Sequence, residues 1–535
     1  MGYIFLISII TNLIGCLLVK KNTGIYLIYI SFLFLLVGLY LAVDISTYKI
    51  LEFKITGYSI ILKLDDYISK IFILLLAILW PLAIKYSYYY FLKDTRLALI
   101  LFTISSSIIL AGLTSIAGNL FTMFISYEFL SFSTLPLIAI SKSPQKKNAL
   151  QNYFLILSGS ASCLLLPAII IISNIAQTDI FSDFFSYNII LSKLEPYQAL
   201  PLLLMFLYGL SKSALWPLHS WLIKAMIADY PVSALLHAVA VVKIGIICTA
   251  KVCYYIFGKE LSSIISTYPW ILYLPIFSML YAAINALIQT KIKHILAYAT
   301  MSKLSFLILV TLISSKEALI SNLVSHAIAK ITLFFAFGYL YMHYGVTDIK
   351  SISGLYKKNK MLFFILTIAA LSLSDIPFLP GYLSKYIFIK NSNATNIVLL
   401  IINIGSIITV AYTTKILWHI YKPSNATAES IEIKQNVLLF CLLTLIAIIP
   451  ILCFQINSVE LNVVKQIIII LIGIMLYILY NSIYKKFCPV KSNLNIKLPL
   501  STVSICIERK IANIMNVEFV ISMGVILICL LISIT

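Results

Sequence analysis

Charge is scarce in this chain. Of 535 residues only 11% are Asp, Glu, Lys or Arg, while 61% are hydrophobic and mean hydropathy is +1.03. A chain this apolar would have no surface to offer water, which excludes a soluble domain and leaves a polytopic helical membrane protein. The nine cysteines are scattered singly, without a C-x-x-C pair or a Cys/His grouping at metal-ligand spacing. They read as small buried apolar residues, and no metal site is expected. Gly-rich phosphate loops and haem-attachment sequences are missing too. No nucleotide or redox cofactor is therefore expected, and the electrons of any associated redox machine would move elsewhere.

What is present is a succession of apolar stretches, each about 20 residues long and thus able to cross a bilayer. They read at about 2–19, 24–44, 70–90, 97–117, 119–141, 148–175, 200–223, 231–257, 266–289, 293–314, 317–343, 361–391, 394–420, 435–455, 462–484 and 515–534. The fold class is therefore all-α integral membrane, with about 14–16 transmembrane helices. The first stretch lacks a basic start and a small-residue cleavage site, so it reads as a retained helix and not a cleaved signal. The longer loops, about 45–69, 176–199, 343–360 and 421–434, are too short to house another domain, so 1–535 is expected to be one polytopic membrane domain. Within 435–535, the C-terminal helices, the basic and partly apolar stretch 485–514 reads as a connector, lying at the lipid interface or simply solvated.

A net charge of +20 could suggest nucleic acid, but the basic residues sit in short loops and not on one folded face, so no nucleic-acid partner is expected. Alternating the loops collects Lys93, Arg96, Lys142, Lys146, Lys224, Lys350, Lys357, Lys422 and many others on one side. The other side keeps only a few, among them Lys54, Lys193, Lys259 and Lys390. The richer side should be cytoplasmic, which predicts a multi-pass protein of the cell inner membrane with both termini on the non-cytoplasmic side.

Two spans are interrupted in a comparable way. LYGLSKSALWPLHSWL carries Lys212 before Pro217, and LSLSDIPFLPGYLSKYIFIK carries Pro377, Pro380 and Gly381 before Lys385. Proline removes a backbone donor and clashes with the preceding turn, freeing backbone groups at membrane depth that need protein or water partners. Paired broken helices are the sequence trace of internal repeats in transporters.

The same spans hold ionisable side chains, each costing about 2.5–3.5 kcal/mol at bilayer depth. Lys212, Lys243, Lys330 and Lys385 are too far from span ends, or too near a break, to snorkel, and Glu128 is the buried carboxylate expected to partner a lysine such as Lys212. His326 and Lys330 are four residues apart and share a helix face. His237, six residues before Lys243, could pass a proton on through water, since imidazole titrates near physiological pH. Lys251 and Lys415, close to span ends, are expected to snorkel. Lys303 is open between the two readings, and His219 looks structural.

These residues resemble the antiporter-like, proton-conducting membrane subunits shared by respiratory complex I and Mrp-type Na+/H+ antiporters. WPLHSWLIKAMIADYPVSALLHA, KIKHILAYATMSKLSF, SHAIAKITLFFAFG and IPFLPGYLSK are similar to that family's signatures, and the likeness runs from about Glu128 to Lys385. It implies an input pair Glu128–Lys212, a relay of Lys243 and His326 with Lys330, and Lys385 as the terminal group. It also implies inverted repeats at about 97–257 and 266–420. The lysine pattern looks most like the Mrp D-type subunit. The expected function is proton translocation in a multisubunit cation/proton antiporter, beside other membrane subunits and with Na+ as a candidate coupling ion. The alternatives are a pump subunit of NADH:quinone oxidoreductase and a non-conducting scaffold. Five positions depart from the family pattern: Ile223-Lys224 replaces Pro-Asp, Tyr127 a Trp, Asp375 a Gly, and Lys303 a Gln or His.

Overall fold

A computed structural model describes residues 48–55, 58–141, 143–176, 179–181, 196–258, 260–422 and 463–487. The expected spans at 2–19, 24–44, 435–455 and 515–534, and nearly all of the 485–514 connector, lie outside the described residues. Packing groups Met1–Tyr477 into one unit and Ile478–Thr535 into another. The elements below belong to the first, save the end of the final helix.

A hairpin of β1 (Tyr48–Ile55) and β2 (Tyr58–Leu64) opens the described chain. Helices follow: α1 (Tyr67–Tyr90), α2 (Leu97–Ser115), α3 (Leu120–Ala139), α4 (Lys146–Ala176), the interrupted pair α5 (Pro196–Gly209) and α6 (Ser220–Lys224), α7 (Tyr230–Phe257) and the short α8 (Glu260–Thr267). Then come α9 (Pro269–Ile288), α10 (Ile292–Ile313), α11 (Lys316–Tyr344), the second interrupted pair α12 (Lys360–Leu373) and α13 (Pro380–Asn391), α14 (Asn396–Tyr421) and α15 (Val463–Phe487). Among the described residues, nine helices are long and apolar enough to cross a membrane. The protein is a multi-pass membrane protein.

The hairpin differs from the all-helical expectation, which left 45–69 as a loop. YKILEFKI and YSIILKL are rich in β-branched and aromatic side chains, and Leu51–Ile55 alternates apolar with polar residues, the pattern of a pleated strand. Phe53 pairs with Ile60 and Glu52 with Ile61. The hairpin caps the α2–α3 turn: Gly118 N donates to Ile61 O (2.7 Å), and Lys63 N to Ile116 O (2.9 Å).

Contacts among the described loops gather them at two ends of the bundle. At one end the hairpin, the turn 116–119 and Asp179–Phe181 meet, through Leu120 N→Asp179 O (2.8 Å) and Phe181 N→Gly118 O (3.0 Å). There, too, Asn393 N reaches Ile313 O (3.2 Å). At the other, Lys291 bridges Asp348, Gly354 N donates to Lys422 O (3.1 Å) and Ser141 Oγ donates to Ile227 O (3.0 Å). This second end carries the lysine-rich loops. Four of the helices that start at the hairpin end are capped by side chains: Asp66 accepts from Ser69 N, Asn119 from Thr122 N, Ser315 from Ala318 N and Thr395 from Val398 N. Such caps satisfy donors that a helix cannot satisfy itself.

Burial is uneven among the spans. The most apolar windows of α1 to α4, α9 and α14 are 50–61% buried, as expected of helices with one face toward lipid, while α7 is 100% and α10 and α11 are 94% buried. These three enclosed helices carry Lys243, Lys303, His326 and Lys330, so the charges face protein and not acyl chains.

Candidate functional site: a buried file of lysine and histidine

The first break lies between α5 and α6. After Gly209 the chain leaves the helix, makes a single 3-10 turn at Ser211–Ser213 and places Ala214 in the left-handed region (φ 54°). The backbone groups freed there are taken up by neighbours: Lys212 N donates to Tyr127 Oη (3.0 Å), Trp221 Nε1 to Ser211 O (3.1 Å) and Trp216 N to Ser278 Oγ (3.1 Å). α7 passes directly against this turn because residue 245 is glycine; a Cβ there would fall on Ser213 N and Lys212 C. The break thereby brings Lys212 beside the helix that bears Lys243.

Lys212 is fully buried. Its ammonium donates to Tyr127 O (2.7 Å) and Ser131 Oγ (2.7 Å) and sits 3.2 Å from the centroid of the Tyr127 ring, all from α3. Glu128, next along α3, is half-buried; its Oε1 is enclosed without a hydrogen-bond partner. The carboxylate is close enough to act on the charge of Lys212, yet it makes no ion pair with it within 4.0 Å among the described residues. Glu128 and Lys212 are thus electrostatic neighbours and not in contact.

The middle of the file is tighter. Lys243 Nζ on α7 and His326 Nδ1 on α11 are 2.5 Å apart, and both side chains are buried. At that distance one proton can be shared between the amine and the imidazole, with either nitrogen able to donate according to its protonation state. His326 Nε2 has no partner, leaving the second face of the ring available for a further transfer. Lys330, one turn on, is buried and donates to Leu296 O (2.9 Å) of α10. Lys243, Lys330, Lys303 and His237 all lie near enough to His326 for their charges to act on it.

His237 sits in a π-helical segment of α7 (Leu235–Val239), buried, with neither ring nitrogen bonded and its ring 5.6 Å from that of Phe334. Wide turns of this kind recur where a helix is adapted to a function. His219 Nδ1 donates to Pro217 O (3.2 Å) beside the first break, and the ring packs edge-on to Tyr281.

The second break separates α12 from α13. Asp375 (φ 54°) and Phe378 (φ 68°) adopt left-handed backbone, and Gly381 lets α13 approach so closely that a Cβ would overlap Ser372 O. Gln466 Nε2 on α15 donates to Asp375 O (2.9 Å), and Ser374 Oγ pairs with Thr413 Oγ1 (2.6 Å). Beyond it, Lys385 is buried and donates to Ser406 Oγ of α14 (2.7 Å). A cavity of about 40 Å³ touches Lys303, Asp375, Lys385, Ser406 and Tyr412, room for a few water molecules. Lys303 donates to Asn322 Oδ1 (3.1 Å), and its ammonium lies 4.0 Å from Asp375 Oδ1.

Two expectations are corrected. Lys251 does not snorkel: it is 2% exposed, forms an ion pair with Asp66 Oδ2 (3.1 Å) and donates to Ala117 O (3.0 Å). Lys415 is 6% exposed and donates to Leu287 O (2.7 Å) and Gln289 O (2.6 Å), closing the C-terminal turn of α9. Sequence reasoning also passed over Tyr127, Ser131, Asn322 and Ser406, whose oxygens hold the lysines. Ser131 and Tyr127, four residues apart on one face of α3, were the available signal.

The family model for NADH:quinone oxidoreductase/Mrp antiporter membrane subunits matches residues 117–410. The chain belongs to this family. The matched region contains every residue of the file, from Glu128 to Lys385. Among curated members it is 28% identical over 351 residues to an antiporter subunit, mnhA2, of Staphylococcus epidermidis, covering 60% of this chain and 43% of that one. It is 30% identical over 299 residues to mnhA2 of Staphylococcus aureus, covering 51% and 36%. The chain thus spans less than half the length of these relatives. They carry the A2 designation, whereas the lysine pattern pointed to a D-type subunit. In fold it is similar to a chain of the membrane-bound sulfane sulfur reductase, an archaeal respiratory membrane complex, with TM-score 0.74, 20% identity and coverage of 89% of this chain and 98% of that one.

Proposed function

We propose that this protein is the proton-translocating membrane subunit of a multisubunit cation/proton antiporter of the Mrp type, working in the cell inner membrane with its lysine-rich end in the cytoplasm and both termini on the opposite side. The observation that carries the reading is the 2.5 Å contact between Lys243 and His326, on two of the three most enclosed helices. A static scaffold gains nothing from two basic groups competing for one proton away from water, whereas a relay needs such a pair.

Protons would enter at Glu128 and Lys212 and pass through Lys243, His326 and Lys330, with His237 beside them. They would leave through Lys385. Each arrival changes the charge its neighbour feels, so the next group releases or accepts in turn. Two five-span repeats, α2 to α7 and α9 to α14, support the scheme. Each has its fourth span broken (α5/α6 and α12/α13), and an odd number of crossings inverts the second relative to the first. Other membrane subunits would complete the assembly, with Na+ as the candidate counter-transported ion.

The test is proton flux in vesicles reconstituted with the chain and its partner subunits. Lys212→Ala and Lys385→Ala should each lower flux about a hundredfold, the scale of removing a positioned proton-transfer group. Wild-type flux in both variants would sink the proposal and favour a scaffold.

A further inference from the structure

The seat of Lys212 is made of neutral groups. Its ammonium lies 3.2 Å from the centroid of the Tyr127 ring and donates to Tyr127 O (2.7 Å) and Ser131 Oγ (2.7 Å), while Tyr127 Oη accepts from Lys212 N (3.0 Å). One aromatic residue thus holds both ends of the same lysine. Tyr127 and Lys212 are both fully buried, so the attraction between cation and ring face is not diluted by water. Tyr127 stands where the family pattern has Trp. An indole also offers a face to a cation, but its rim carries only an N–H donor, so it could not accept from Lys212 N as the phenol does.

Glu128 follows Tyr127 directly on α3, yet it makes no ion pair within 4.0 Å among the described residues, and its Oε1 is enclosed without a hydrogen-bond partner. An enclosed carboxylate oxygen beside an ammonium is ordinarily in contact with it. Glu128 of α3 and Cys248 of α7 are the ionisable groups whose charges act on Lys212, so Glu128 is the carboxylate that competes with the seat. One ammonium therefore has two places to go, a neutral seat that it occupies and a carboxylate that it does not.

We propose that Tyr127 is the positioning residue of the input pair: its ring face, with Tyr127 O and Ser131 Oγ, parks the Lys212 ammonium apart from Glu128 and sets how often the two meet. Lys212 changes partner as an ammonium, by rotation of its flexible four-carbon stem, and no covalent bond forms or breaks. A carboxylate clasped by an ammonium has little attraction for a further proton, whereas one whose ammonium is held elsewhere can accept it. Loading the input therefore needs the two groups apart, and the seat keeps them so. Removing the ring should shift the ratio of parked to paired lysine about thirtyfold, the equivalent of about 2 kcal/mol for a desolvated cation on an aromatic face. The inference rests on the proton-carrying reading above and adds a residue which that reading leaves out.

The experiment combines magnetic resonance of the purified chain, carrying isotope-labelled lysine and glutamate, with flux in the reconstituted vesicles. The ε-methylene protons of Lys212, assigned by their loss in Lys212→Arg, should resonate upfield of the other lysines, as groups above a ring face do. Their absence from that region overturns the proposal, and since it is read in the wild type it does so even where a variant fails to fold. The Glu128 carboxyl carbon, assigned by its loss in Glu128→Gln, should keep its position in Tyr127→Phe, which retains the face, and move in Tyr127→Leu, which does not. No movement in Tyr127→Leu, or equal movement in both, would reduce Tyr127 to packing. In vesicles, Tyr127→Leu should lower flux about thirtyfold, with Tyr127→Phe and Tyr127→Trp within a few-fold of wild type; undiminished flux in Tyr127→Leu, or the same loss in all three, overturns the proposal. Wild-type flux no greater than that of empty vesicles would instead defeat the general proton-carrying reading, while the two resonances still decide whether the ring parks Lys212.

Discussion

Removing the charge of Asp66 while keeping its shape should destabilise the protein by about 3 kcal/mol, because Lys251 would keep an uncompensated ammonium where water does not reach. The two side chains are 7% and 2% exposed and 3.1 Å apart. Asn in place of Asp66 still accepts from Ser69 N, now 2.6 Å away, so the α1 cap worth about 1 kcal/mol survives and the loss isolates the charge. Lys251→Met leaves the opposite orphan, a carboxylate still supported by Ser69 N and Ser69 Oγ, and should cost less, about 2 kcal/mol. The double variant Asp66→Asn/Lys251→Met has no buried charge at that place and should be more stable than Asp66→Asn alone. Unfolding by graded sodium dodecyl sulfate in mixed micelles, followed by tryptophan fluorescence, measures all four corners of the cycle. A loss of 3 kcal/mol shifts the folded-to-unfolded ratio by about two powers of ten, well within reach of the method. Strictly additive losses would refute the reasoning, since they would mean that neither charge depends on the other.

Other substitutions separate the relay from its supports. Gly245→Val should drive α7 away from Ser213 and Lys212, costing about 1–3 kcal/mol and most of the proton flux, as read by unfolding and vesicle assays together. Lys415→Met leaves Leu287 O and Gln289 O unpaired and should cost about 1–3 kcal/mol while flux per folded molecule stays at the wild-type level; a large loss of flux would place Lys415 in the relay. Ser131→Ala removes one of the oxygens on Lys212 and should lower stability by about 1–2 kcal/mol, with flux reduced several-fold and not abolished.

Much of the bundle was legible because a bilayer imposes one strong rule, that a crossing helix needs a long apolar stretch. The stretch at 97–117 became Leu97–Ser115, and that at 317–343 became Lys316–Tyr344. Both breaks were visible in the prolines and lysines around 212–217 and 377–385. The hairpin was missed although Leu51–Ile55 alternates and both strands are rich in Ile and aromatic residues, since a short two-stranded ribbon gains its stability from the α2–α3 turn it covers and not from its own sequence. Lys251 and Lys415 were misread for a related reason: distance from a span end says how far an ammonium must reach, but not that Asp66 or the carbonyls of α9 wait nearby. The Lys243–His326 contact joins residues far apart in the chain; the family resemblance grouped them in one relay with Lys330, while nothing local in the sequence predicted their approach.

The left-handed residues at the two interruptions, Ala214, Asp375 and Phe378, are not glycines, so the chain itself would rather not bend there. Tyr127, Trp221 and Ser278 enforce the first bend, and Gln466, Thr413 and the snug seat of Gly381 enforce the second. Swapping the nearby prolines for alanine should therefore leave both helices split. Grafting either segment into an unrelated scaffold would lose the kink, because its custody belongs to the surroundings.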